Sequence, residues 1–341
     1  MGKNKTKNQH YVPKFLLRKF LCNAKIGQIY VFDKKKGESF KTNIDNISSE
    51  NNFYDFKFKD LDLTFEPALC DLESRVANIH GKILCRQSID HLTTEDKIWL
   101  AYFIVIQRIR TRNYREVMRD MTNSMIEEIQ DMGVDPNSIK GQKIETENDA
   151  KLLTARIFHR ATNSVPHLLN KAWILLRTTK DKPFYISDNP VTLQNQRDFG
   201  PRGNVGFAVS GIEIYLPLSR TLALFLTCPT NEADCREGLR RAREIHRNLR
   251  MTAMQGRRFG AFDEWGLAVS QQVLTNTGPF VEAMDTGAAL DSDAENVINF
   301  NFLQTVHAER FVMSSRDEFG LVRTMLRDDE GYRWGPRAVI I

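Results

Sequence analysis

Residues 96–121, DKIWLAYFIVIQRIRTRNYREVMRDM, restrict the fold more than any other stretch. From Ile98 to Ile109 the run is apolar on most sides, a pattern that suits a helix enclosed by other elements and not one lying on a surface. The segment is predicted as one long central helix, opened by a capping box of Thr93 and Asp96. Its polar half carries Arg108, Arg112, Arg115 and Arg119 at steps of four, three and four, which places four guanidiniums along one side.

Other segments are read around that helix. GQIYVFDKKKGESFKT is predicted as a hairpin, with a strand at 29–32, a Lys-rich turn ending at Gly37 and a second strand around Phe40. From Thr64, the residues Phe65, Leu69, Leu72, Val76 and Ile79 alternate steps of four and three, the stripe of an amphipathic helix with Pro67 in its first turn. Residues 131–149 are polar with Gly and Pro and read as an exposed loop. A second helical region is expected over 148–177, broken near Pro166. The character changes at Pro183, where PFYISDNPV and GIEIYLPLSRTLALFLTC are strand-like and flank a Gly-rich loop at 200–211. Glu213 alternates with Ile212 and Ile214 and is expected to point away from their apolar face. A last helix through ENVINFNFLQTVHAERF and a strand at 311–313 complete the pattern. The expected fold is α+β, mainly helical with a small, mostly antiparallel sheet. It is read as one domain over 1–341, helical in its first half (1–180) and mixed sheet and helix in 181–341, with a basic insertion at 230–291.

Composition removes several classes. With 41 % hydrophobic and 27 % charged residues the chain has the balance of a globular protein, and no apolar run approaches the roughly 18 residues of a membrane span. MGKNKTKNQH is not followed by a signal-like segment, so a cytoplasmic place without a membrane partner is expected. Cys22, Cys70, Cys85, Cys228 and Cys235 form no CxxC pair and are read as reduced thiols. The net charge of +5 permits a polyanionic partner without requiring one. Walker A, dinucleotide and HExxH motifs are absent.

HYVPKFLLRKF, NNFYDF, QRIRTRNYR, FYISDNPV, IEIYLPLS and NFNFLQTVHAERFV, in that order, resemble the bacterial family called domain of unknown function 4238. The opening motif, the SDNPV turn and the PLS after the next strand are the most specific pieces, and the resemblance spans nearly the whole chain. It implies a shared fold and marks positions, but supplies no reaction. The stretch 230–291 is longer than the family leads one to expect.

Two readings stand for each marked residue. His10 is a metal ligand or general base held in a stiff segment beside Pro13, or it caps a core by bonding a carbonyl. Arg18 is a phosphate clamp or half of an ion pair. Glu66 and Glu73 share a helix face but lie about 10.5 Å apart along it, so at most one joins His10. Gln107, Arg110 and Tyr114 share one side of the central helix; Arg110 meets Glu66, Glu73 or Asp188, or else a substrate phosphate. Asp188 and Asn189 follow a strand, where reactive groups are commonly displayed, yet Asp-Asn-Pro is equally a turn. Asn301 lies on the apolar side of the last helix and either staples it to a loop or faces a pocket. A second arginine row, Arg236, Arg240, Arg243, Arg247 and Arg250, falls in the insertion.

The leading expectation is a metal-dependent phosphodiesterase or nuclease. His10, Glu73, Asp188 and Arg110 would be catalytic, and His10, Glu66 and Asp188 would hold a divalent ion, Mg²⁺ or Mn²⁺. Arg18, Gln107, Asn189 and Asn301 would bind substrate; Arg108, Arg112, Arg115, Arg119, Arg240, Arg243 and Arg247 would track nucleic acid. The alternative is a non-catalytic module for nucleic acid, nucleotide or another ligand, which a loose association of the family places in bacterial defence. Oligomeric state is left open.

Overall fold

The structure, a computed structural model, describes residues 7–135, 146–197 and 205–337. Residues 136–145 of the expected exposed loop, 200–204 of the Gly-rich loop and 1–6 of the polar start lie outside the described residues.

The half expected to be helical opens with strands. β1 (Asn8–His10) leads through Pro13 into a short helix, α1 (Lys14–Leu17). The expected hairpin is present as β2 (Gln28–Asp33) and β3 (Glu38–Asn43), with Gly37 at a φ of 76° ending its turn. β4 (Ser49–Asn51) pairs with β1, and β5 (Asp55–Phe58) pairs with β6 (Leu61–Thr64), both antiparallel. The stripe from Phe65 becomes α2 (Glu66–Arg86), which buries Leu69, Leu72, Val76 and Ile79.

α3 (Thr94–Ile109) starts at the Thr93–Asp96 capping box and is buried at most positions from Leu100 onward. It does not continue to Met121. The chain breaks at Arg110, and the Thr111 hydroxyl caps α4 (Arg112–Asp131) by accepting the Tyr114 N–H at 3.3 Å. A threonine inside a helical pattern offers this cap whenever tertiary packing favours a turn there, and periodicity does not register it.

α5 (Glu147–Arg160) and α6 (Val165–Leu169) are separated by a 3₁₀ turn at Ala161–Ser164, the break expected near Pro166. Helix was expected up to residue 177, but AWILLR is a strand, β7 (Ala172–Arg177). Consecutive apolar residues at 173–175 suit a strand covered on both faces. After β8 (Ile186–Ser187) come β9 (Thr192–Gln194), β10 (Glu213–Pro217) and β11 (Leu222–Thr227). The insertion is two long helices, α7 (Pro229–Met254) and α8 (Ala261–Thr286). β12 (Ala289–Asp291), α9 (Ala294–His307), β13 (Phe311–Ser314) and α10 (Gly320–Asp328) complete the order.

A five-stranded sheet runs β12-β7-β11-β10-β9, with β12 parallel to β7 and the rest antiparallel. One face, with Leu175, Leu193, Ile214, Leu216, Leu224 and Leu226, packs into the core shared with α2 and α3. The other, with Ile174, Tyr215, Ala223 and Phe225, meets Val297, Phe300 and Leu303 of α9. Glu213 lies on the Tyr215 side, opposite Ile214, and accepts from the Tyr215 hydroxyl at 3.0 Å. A four-stranded antiparallel sheet, β3-β2-β13-β8, joins the two ends of the chain.

The expected mainly helical fold with a small sheet is corrected accordingly. With 54 % helix, 18 % strand and several sheets, one of five strands, this is a mixed α+β fold. Its strands are short, and the central ones are apolar on both faces, so they carry little of the alternation that reveals a strand. No helix among the described residues is long and apolar enough to cross a membrane.

Candidate functional site

The opening motif is drawn into the body by its apolar residues: Tyr11, Val12, Leu16, Leu17 and Phe20 are buried. Two side chains fasten its backbone. Gln107 of α3 donates to the Tyr11 carbonyl at 2.9 Å, and the Tyr54 hydroxyl donates to the His10 carbonyl at 3.1 Å. One edge stays open, where His10, Lys14 and Arg18 face Glu66, Cys70 and Glu73 of α2 across a cleft of about 420 Å³. The structure therefore brings together His10, Arg18, Glu66 and Glu73, with Arg110 and Gln107 behind them.

The groups in this cleft differ in proton affinity. His10 Nε2 lies 3.0 Å from the Ile44 carbonyl, an arrangement that puts the ring proton on Nε2 and leaves a lone pair on Nδ1. Burial holds this imidazole below its ordinary value, so it is neutral at pH 7. Burial, and then the charge of Glu73, push the Glu66 carboxyl up. Glu73 accepts from Arg110 Nη1 at 2.7 Å. Arg110 is 1 % exposed and gives Nε to Gln107 at 2.8 Å, while its Nη2 has no hydrogen-bond partner among the described residues. Lys14 is tied to Asp45 at 2.7 Å, which leaves Arg18 as the exposed cation of the cleft without an ion pair among the described residues. A neutral base, a carboxyl of raised proton affinity and an exposed guanidinium can move a proton and meet an anion.

Asp188 is elsewhere. Buried at the end of β8, it accepts the backbone N–H groups of Glu309, Arg310 and Phe311 at 2.8, 2.9 and 3.0 Å. Its oxygens hold the start of β13 and are not presented to the cleft. Among the described residues no three His, Cys, Asp or Glu side chains gather closely enough to hold a metal ion, so the expected ligand set of His10, Glu66 and Asp188 is not assembled. Asn189 is likewise structural, donating to the Asn113 side chain at 3.1 Å and the His307 carbonyl at 3.0 Å. Asn301 staples α9 to the chain before β8 through the Tyr185 N–H at 2.7 Å and the Pro183 carbonyl at 3.1 Å.

The arginine row of 108–119 is not a surface stripe. The break at Thr111 divides it between two helices, and each member has a partner. Arg112 meets Glu50 at 3.1 Å, Arg115 meets Glu147 and lies over the Phe53 ring, and Arg119 meets Glu116 and Glu147. Arg108 bonds the Val191 carbonyl at 3.2 Å inside a cavity.

The row in the insertion is displayed. α7 and α8 form an antiparallel hairpin, with His246 facing Ser270 at 3.3 Å and Leu249 lying close over Gly266. Arg236, Arg240, Arg243 and Arg247 line a groove of about 1020 Å³ between them. Arg236 is paired with Glu232 and Asp285, and Arg240 with Glu237 and Glu244. Arg243 and Arg247 have no carboxylate partner among the described residues, nor do Arg250, Arg257 and Arg258 toward the tip. Phe262 and Trp265 stand beside that tip at 80 % and 60 % exposure, ring centroids 5.8 Å apart.

Sequence reasoning missed three buried groups. Lys34, in a Lys-rich turn that reads as solvated, is enclosed and donates to the Thr305 and Ala308 carbonyls at 2.6 and 2.7 Å, capping α9. His80 and His307 bond the carbonyls of Leu218 and Leu193 at 2.7 and 3.0 Å. His80 sits among the buried stripe residues of α2, a signal that could have been read.

A family model described as Protein of unknown function (DUF4238) matches residues 8–318. The chain belongs to this family. The matched DUF4238 span runs from β1 to just past β13, and so takes in the cleft, both larger sheets and the α7–α8 hairpin. No curated protein and no solved structure matches the chain.

Proposed function

We propose that the chain is a non-catalytic module that binds single-stranded nucleic acid along the α7–α8 hairpin. One observation carries this reading: the α7–α8 hairpin bears five arginines without carboxylate partners among the described residues, at 243, 247, 250, 257 and 258, and two exposed aromatic rings beside its tip. Guanidiniums neutralise successive phosphates, and unpaired bases stack on aromatic faces whatever their sequence. A duplex keeps its bases stacked on one another and leaves Phe262 and Trp265 nothing to stack on.

Fluorescence anisotropy of labelled oligo(dT) against salt tests it. If all five arginines meet phosphate, log K falls against log salt with a slope of roughly −3.5. Replacing Arg243 and Arg247 by Gln flattens that slope by about 1.4, and Trp265→Ala weakens binding by roughly tenfold with the slope unchanged. Absence of binding to oligo(dT) and oligo(U) at low salt ends the proposal.

A second reading is favoured by the unequal proton affinities of His10 and Glu66. In it the cleft at β1 and α2 is a hydrolase site for a phosphodiester, with His10 Nδ1 as base, Glu66 as acid and Arg18 on the phosphate. No step is routed through a metal. Cleavage of oligonucleotide or cyclic nucleotide, measured with and without Mg²⁺ or Mn²⁺ and lost in Glu66→Gln, supports it; an inert protein under all these conditions removes it.

A further inference from the structure

A cavity of about 750 Å³ lies between α4, α5 and β9, away from both the cleft and the hairpin groove. Much of its wall is apolar, with Ile109, Val117, Met121, Ile157 and Leu193. Among the described residues, the charged groups on it are three arginines, and no Asp or Glu lines it. Arg337 is satisfied, gripping Glu309 with two bonds of 2.8 Å. Arg108 is not. The one hydrogen bond its side chain makes among the described residues goes to the Val191 carbonyl at 3.2 Å. Enclosure pulls this guanidinium down to about 10, which still leaves it charged at neutral pH, and the Tyr114 phenol on the same wall lies close enough to feel that charge. Arg160, exposed where it lines the cavity, has no ion pair among the described residues.

A partly buried cation without a counter-charge is costly, and the fold holds Arg108 against an apolar chamber wide enough for a small organic molecule. We propose that this cavity binds an amphiphilic monoanion, a carboxylate carried on an alkyl body. The carboxylate pairs with Arg108 in the two-pronged geometry that a guanidinium favours, Tyr114 adds a hydrogen bond, Arg160 meets the anion at the opening, and the alkyl body lies along α4 and α5. A single carboxylate suits the site better than a dianion, because one guanidinium is enclosed and the second stays in water.

Isothermal titration calorimetry and thermal melts with decanoate, decanol and octyl phosphate as probes decide the matter. Decanoate is expected to bind one to one and raise the melting temperature, with decanol and octyl phosphate weaker. Arg108→Met should weaken decanoate by roughly 30-fold or more. The same variant, freed of a partly buried charge without a counter-ion among the described residues, should melt no lower than the wild type in the absence of ligand. Val117→Trp fills the chamber without touching Arg108 and should abolish binding, so the idea stays testable if Arg108→Met does not fold. It is overturned if wild-type protein binds no decanoate, if decanol binds as tightly, if octyl phosphate binds more tightly, or if either variant binds decanoate like the wild type.

Discussion

Glu73→Ala is predicted to lower stability through a residue it does not itself contain. Arg110 is sealed in the core, and Glu73, with 26 % of its side chain exposed, supplies the neutralising charge at 2.7 Å. Removing one partner of a buried pair costs about 3–5 kcal/mol, since the remaining charge is left without compensation. Water entering from the cleft can take up part of Glu73's place, which sets the expected loss near the lower end, about 3 kcal/mol. At about 2.1 cal/mol/K per residue, 341 residues give an unfolding entropy near 0.7 kcal/mol/K, so this loss is about 4 °C in melting temperature. Arg110→Met should cost less, because Glu73 can rehydrate. The double variant should sit close to Arg110→Met alone, a coupling of about 3 kcal/mol. Melts followed by circular dichroism check all three. The reasoning is refuted if Glu73→Ala melts within about 1 °C of the wild type, or if the double variant loses the sum of the two singles.

Three further outcomes follow from the same geometry. Burial holds His80 at about 4 and His307 at about 3, below the ordinary value of 6.5. At these two histidines the unfolded chain binds more protons below pH 6.5, so their contribution to stability falls from pH 6.5 to 4, an effect partly offset by Asp188, which burial holds up at about 6; pH-dependent melts should show a steeper fall in the wild type than in His307→Gln. Asp188→Asn turns an amide donor toward N–H groups that now meet a carboxylate, and should cost roughly 3 kcal/mol or more in chemical denaturation. Equal stability of that variant would mean that Asp188 does not hold β13. Gly287→Ala should be strongly destabilising, since φ is +69° and the added Cβ would lie 2.7 Å from the backbone nitrogen of Asp90; a melt within a degree or so of the wild type would show that this turn can relax.

Helices whose burial follows one face were legible. The α2 stripe, the Thr93 capping box and the break near Pro166 could each be read from a window of a dozen residues, because the cause lies within that window. β7 was harder: its apolar residues face two different cores, one under α2 and α3 and one under α9, so alternation is erased. β13 gave a clear strand signal, but its pairing with β2, nearly three hundred residues earlier, has no local trace. The proportions of the fold were misjudged for that reason. In the cleft, the residue types of His10, Arg18, Glu66 and Glu73 were enough to suggest a site. The supposed fourth corner, Asp188, was indistinguishable in sequence from the turn residue it proves to be.

Which arginines are free to meet a ligand was legible only where the fold is simple. In the body, partners come from distant segments: Arg110 finds Glu73 across 37 positions, Arg115 finds Glu147 across 32 and Arg112 finds Glu50 across 62. A row of arginines there says nothing about surplus charge, because tertiary contacts neutralise most of it and leave Arg108 with only a carbonyl. In the α7–α8 hairpin most of the pairing runs within a helix, so the i, i+3 and i, i+4 rule nearly suffices. Arg240 takes both Glu237 and Glu244, and Arg243 then has no acidic residue three or four positions away on either side. Arg247 has Glu244 three positions before it, already held by Arg240. Two arginine rows with the same spacing thus have opposite fates. Arg112, Arg115 and Arg119 of one are absorbed by the fold, while Arg243, Arg247 and Arg250 of the other are left for a partner, and the difference lies in how many other elements surround each helix.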